Sequence, residues 1–89
     1  MSESASMPGN SWSTARSLLA AAMEMDVADI ADDAAISRLD SWDSLAHMRL
    51  ILALEEHMGA ELTPDTVVGL GSLADVVTVL EEGHLPPQI

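Results

Sequence analysis

The stretch LDSWDSLAHMRLILALEEHMG, residues 39–59, decides the fold. Residues 43–58 carry the strongest helical pattern in the chain. Asp43 suits the N-cap position, with Ser44 first in the helix, because its carboxylate can accept an unpaired first-turn amide. Gly59 is a natural stop, since glycine takes the left-handed conformation that closes a helix. On a wheel advancing about 100° per residue from Leu45, the side chains of Leu50, Leu54, Met58 and Ile51 fall at about 140°, 180°, 220° and 240°. That arc is wide enough to be a core face. Leu45, Met48 and Leu52 fall opposite, at about 0°, 300° and 340°, flanked by Arg49 at about 40° and Glu56 at about 20°. Two apolar faces on one helix of a small protein mean burial on both sides or a binding stripe rimmed by charge. The size of the chain favours the stripe.

Outward from this helix, the pattern stays helical. Ala15, Leu18, Leu19, Ala22 and Met23 recur at helical spacing and predict a first helix over about 13–25, with Ser11 or Ser13 as cap and Arg16 on its outer face. Residues 26–42 form a long acidic connection. Its aspartates are poor in a helix interior. Val27, Ile30, Ile36 and Leu39 are spaced too irregularly for one stripe, and read as apolar anchors pinning a loop, with a short turn near 33–36. Trp42 anchors the loop's end. Thr63 caps a short helix with Pro64 at its first position, running to about Val68. Gly69 and Gly71 end it. Ser72 with Asp75 resembles a capping box, and Leu73, Val76, Val77 and Leu80 give the apolar face of a last helix over 72–82. Gly83 stops it and Pro86-Pro87 bars continuation. The expected organisation is all-α: a flexible tail over 1–10, a domain over 11–83 and a tail over 84–89.

Composition narrows the function. The chain has 89 residues, 15 acids and three arginines, for a net charge of −12. A field of that sign repels nucleic acid and anionic membrane, and favours basic protein surfaces. A chain this short leaves little room for the pocket of a typical enzyme. With 48% hydrophobic residues, it is not a disordered acidic tail. The absence of cysteine excludes disulfides and thiolate metal sites. Asp26, Asp29, Asp32 and Asp33 lack the glycine and terminal glutamate of a calcium loop, so no dedicated metal site is expected. The apolar runs are too short to span a bilayer, and the N-terminus has no basic region leading an apolar one. A soluble cytoplasmic monomer is the expectation. There is no Phe or Tyr, so the core must be aliphatic with methionine, which suits helices.

Ser44 is the residue with chemical promise. A hydroxyl at a helix N-terminus sits among free amides and the positive end of the dipole, which favour an attached anion. Such a serine can carry a phosphodiester; it can equally do no more than start the helix. His47 lies one turn on, and a Ser–His pair invites a nucleophile reading. The sequence offers no third orienting group or oxyanion donors, so that reading is rejected. His57 and His84 read as surface residues.

Residues 39–45, continuing to Leu54-Glu55-Glu56, resemble the phosphopantetheine attachment region of acyl carrier proteins. The long acidic loop before them and the Pro-containing short helix after them extend the resemblance to about residues 13–82. It implies a four-helix bundle of acyl-carrier type, with a long loop between helices 1 and 2 and a short third helix. It implies that Ser44 receives 4′-phosphopantetheine from coenzyme A through a phosphopantetheinyl transferase, and that the free thiol then carries acyl groups as thioesters. The chain would be the tethered substrate of acyl-loading and acyl-transfer enzymes, not an enzyme. Asp43 would cap the helix and contact the transferase. Leu45, Met48 and Leu52 would form the partner stripe with Arg49, and Glu55 and Glu56 would meet basic partner residues. Leu70 matches a position lining the acyl cavity, with Val67 and Val68 beside it. Two features depart from carriers of bacterial fatty acid synthesis. Ser41-Trp42 stand where a glycine is usual, and Ala46 and Arg49 stand where acids are usual. The Trp-Asp-Ser-Leu start looks more like free-standing carriers of polyketide, nonribosomal peptide or sugar-modifying pathways. The alternatives are an aminoacyl or peptidyl carrier, against which the charge leans, and an unmodified acidic adaptor docking through the same stripe.

Overall fold

The capping residues mark out the helices. The structure, a computed structural model, describes residues 10–85. It contains α1 (Asn10–Met23), α2 (Ser44–Met58), α3 (Pro64–Gly69) and α4 (Leu73–Glu82). No strand occurs among the described residues, so the all-α expectation holds, short third helix included. Asp43 caps α2 by accepting the Ala46 amide, and Gly59 closes it at φ 70°. Thr63 caps α3 by accepting the Thr66 amide. Ser72 caps α4 and Gly83 closes it at φ 88°. Asp75 does not complete a reciprocal box with Ser72. Its carboxylate accepts the Gly71 amide at 2.9 Å instead.

The first helix departs from expectation at both ends. It begins at Asn10 and stops at Met23, two residues short of the expected end. The stop is made by Glu24, which takes a left-handed conformation at φ 59°. Its amide donates to the Ala21 carbonyl and the Met25 amide to the Ala20 carbonyl, the paired bonds that close a helix end. Glycine usually fills that place, so no stop is visible in the sequence.

α1 packs against both α2 and α4. Leu19, Leu50, Leu54, Leu73, Val76 and Val79 are the fully buried centre of the core. The long loop crosses this core and is stitched to the start of α4. The Ile36 amide donates to the Gly71 carbonyl at 2.8 Å, and the Leu73 amide to the Ala34 carbonyl at 2.9 Å. The second bond satisfies a first-turn amide that α4 itself cannot pair. Ion pairs Arg16–Asp32 and Arg38–Asp33 tie the loop further. Of the four expected apolar anchors, Ile30 is buried and Leu39 half-buried, whereas Val27 and Ile36 are nearly half exposed. Ala34 takes their place because it lies against α4, and Trp42 is buried as expected.

The packed unit runs past residue 83. The Leu85 amide donates to the hydroxyl of Thr66, a buried polar side chain, and the Leu85 side chain packs against the core. The rest of the expected tails, residues 1–9 and 86–89, lies outside the described residues. No helix among the described residues is long and apolar enough to cross a membrane.

Candidate functional site

The candidate site is the head of α2 and the outer face behind it. Asp43 Oδ1 accepts the Ala46 amide at 2.9 Å, which uses up one orphan donor of the first turn. Ser44 stands first in the helix and is exposed. Among the described residues, the amides of Ser44 and Leu45 have no intramolecular partner. No acidic side chain lies in the first turn itself. A primary hydroxyl open to solvent, beside two free amides at the positive end of a helix, fits an attached phosphodiester.

Behind Ser44, the two faces of α2 separate as the wheel predicts. Leu50, Ile51 and Leu54 are buried and Met58 is half-buried. Leu45 is 61% exposed, Met48 52% and Leu52 61%, so the outer apolar stripe is uncovered. Arg49 stands on this face and lies 3.6 Å from Glu24, the residue that closes α1. A groove lined by Arg49, Leu52, Glu56, Gly59 and Glu61 continues the face toward the end of α2. Glu56 is exposed there. Glu55 is half-buried, and its carboxylate accepts the Leu62 amide at 3.0 Å. That bond commits it to the turn before α3.

The three residues expected near the interior divide. Leu70 is fully buried and Val67 half-buried. Val68 does not line the interior: at 85% exposed it stands on the outer side of α3, because one helical step turns it away from Val67 and Leu70.

His47 is the site residue whose role sequence reasoning missed. It makes no pair with Ser44. Instead the Trp42 indole N–H donates to its Nδ1 at 3.0 Å, and its Nε2 lies 2.8 Å from the Val67 carbonyl oxygen. The two rings lie near-parallel, 6.2 Å apart. A signal was present, since His47 falls at about 200° on the wheel, inside the core arc.

A family model of the phosphopantetheine attachment site matches residues 13–80. The chain belongs to the acyl carrier protein family. A search of curated proteins found no match. Carrier domains of this family are attachment sites for 4′-phosphopantetheine and act as non-catalytic tethers. The matched span takes in all of α2 and α3 and most of α4.

Proposed function

We propose that Ser44 carries the 4′-phosphopantetheine group and that this carrier serves a specialised biosynthetic pathway. The observation that carries the reading is the exposed Ser44 hydroxyl at the capped head of α2, in front of an uncovered apolar stripe. When attached, the group supplies a thiol that holds an acyl cargo as a thioester. The chain's own residues do the rest. Asp43 sets the first turn of α2. The free amides of Ser44 and Leu45 stabilise the phosphodiester charge. Leu45, Met48 and Leu52 offer partners an apolar face, with Arg49 and Glu56 at its edges. Methionine in such a face adapts to more than one surface.

The phosphopantetheinyl transferase and acyl-handling enzymes are the partners of carriers in general. For this carrier, the charge of −12 supports partners with basic docking surfaces. Arg49 supports a partner that also presents an acid opposite it, which distinguishes this face from a uniformly acidic one.

The test is intact mass after incubation with coenzyme A and a broad-specificity phosphopantetheinyl transferase, wild type beside Ser44→Ala. A gain of one phosphopantetheine in the wild type alone supports the reading. No gain, with the transferase active on a control carrier, moves the function to an unmodified acidic adaptor that docks through the stripe.

A further inference from the structure

We propose that His47 is a latch: it holds α3 against the first turns of α2, and so keeps together two helices that an apolar cargo entering beside Ser44 would have to part. The gating half of this inference rests on the carrier reading above; the latch itself does not.

The hydrogen-bond chain has one consistent assignment. An indole N–H can only donate. Trp42 Nε1 at 3.0 Å therefore makes His47 Nδ1 the acceptor, and assigns the ring proton to Nε2. Nε2 then donates to the Val67 carbonyl at 2.8 Å. The neutral Nε2-protonated tautomer satisfies both bonds, and neither the other tautomer nor the cation does.

The carbonyl that receives this proton needs it. Inside a longer helix, Val67 would accept the amide of Gly71. α3 ends at Gly69, and the Gly71 amide is already donated to Asp75. His47 thus pairs a carbonyl left over at a helix end.

α3 is also the helix that is least held. It has six residues and buries only Thr66. A helix of that length has no stability of its own in water. The Thr66 hydroxyl is bound to Thr63 and Leu85, not to α2. Glu55 reaches Leu62, ahead of the helix. Among the described residues, the His47 bond is the side-chain hydrogen bond that joins α2 to α3 itself. It lies one turn from Ser44. The main packing of the bundle, α1 on α2 and α1 on α4, does not involve α3, so α3 can part from α2 next to Ser44 while those contacts stay in place. Trp42 forms the fixed side of the latch, being buried and bonded to the Leu39 carbonyl through its amide.

The experiment uses nuclear magnetic resonance on the full chain, without modification first. The wild type should show the Nε2-protonated tautomer of His47 in its nitrogen shifts. His47→Ala should raise amide exchange at Val67 and Leu70 by about ten-fold or more while Val76 and Val79 exchange as in the wild type. His47→Gln, whose side-chain amide can still donate to the Val67 carbonyl, should restore much of the protection. Unchanged exchange in α3, an equal rise across α4, or an Nδ1-protonated ring would each overturn the latch. The second stage loads an octanoyl thioester. Larger shifts at core amides in His47→Ala than in the wild type support the gating role, and equal shifts overturn it. If no phosphopantetheine is taken up, the carrier reading fails and gating with it, while the exchange data still decide the latch.

Discussion

Asp43 Oδ1 accepts the Ala46 amide at 2.9 Å, and this bond makes Ser44 the first residue of α2. Asp43 has two roles to separate, capping the helix and meeting the transferase. Asp43→Ala removes the cap and should cost about 1 kcal/mol, measured by urea unfolding. Asp43→Asn keeps an oxygen acceptor and should lose only a few tenths of that. The two variants then divide the roles. If Asp43 serves the transferase through its charge, Asp43→Asn stays stable yet raises the transferase KM. Equal modification kinetics for wild type and Asp43→Asn would restrict the residue to capping.

Glu24 closes α1 in a conformation that side chains with a Cβ adopt at a cost of about 1–2 kcal/mol. Its charge also sits at the negative end of the α1 dipole. In its favour is an ion pair to Arg49, exposed and 3.6 Å long, a class worth about 0–1 kcal/mol. Glycine removes the strain but adds freedom to the unfolded chain. The balance predicts that Glu24→Gly stabilises the protein by about 0.5 kcal/mol in urea unfolding. A destabilised variant would mean that the Arg49 pair outweighs the backbone strain. The same variant frees Arg49, so any change in partner affinity without loss of stability would place Glu24 among the residues that tune the docking face.

The contrast between these two residues shows what is legible in the sequence. Asp43, Thr63, Ser72, Gly59 and Gly83 announce helix ends because their chemistry suits caps and left-handed turns, and α2, α3 and α4 follow. Glu24 does glycine's work without glycine's signal, so the end of α1 is misplaced. In the loop, Val27 and Ile36 look like anchors because they are large and apolar. Ala34 is the one that lies against α4, and nothing about a lone alanine announces that. The outer stripe was legible from helical period alone. The role of His47 was not, although its angle on the wheel put it in the core arc. Its two bonds depend on how α3 returns to α2, and that is a tertiary fact. Val68 failed for a related reason: neighbours in sequence on a short helix face different ways.

All three arginines are paired with acids, Arg16 with Asp32, Arg38 with Asp33 and Arg49 with Glu24. No arginine is left over to offset the remaining net charge of −12. Repulsion among those charges opposes folding, and salt screens it over distances near the Debye length. The melting temperature should therefore rise between low salt and about 0.5 M sodium chloride, by on the order of 5 °C. Screening weakens the three ion pairs as well, but the acid of each pair is exposed, and pairs open to solvent contribute little. A melting temperature that fell with salt would show that the pairs holding the long loop matter more than the global repulsion.

The two faces of α2 make the sharpest separation between fold and function. Leu54 is fully buried, and Leu54→Ala should cost about 2–5 kcal/mol through lost burial and the cavity left behind. Leu45 and Met48 are more than half exposed on the opposite face. Leu45→Ser and Met48→Ser should each change stability by no more than about 0.5 kcal/mol, since exposed positions away from caps and networks tolerate substitution. If that face is where partners dock, the same two variants should raise the KM of a carrier-dependent acyl transfer several-fold with little change in unfolding. Loss of stability without loss of transfer would reverse the assignment and make the stripe a structural surface covered by the protein itself. Full transfer and full stability in both variants would remove the stripe from the docking face and leave Arg49 and the groove toward Glu61 as the part of α2 that partners read.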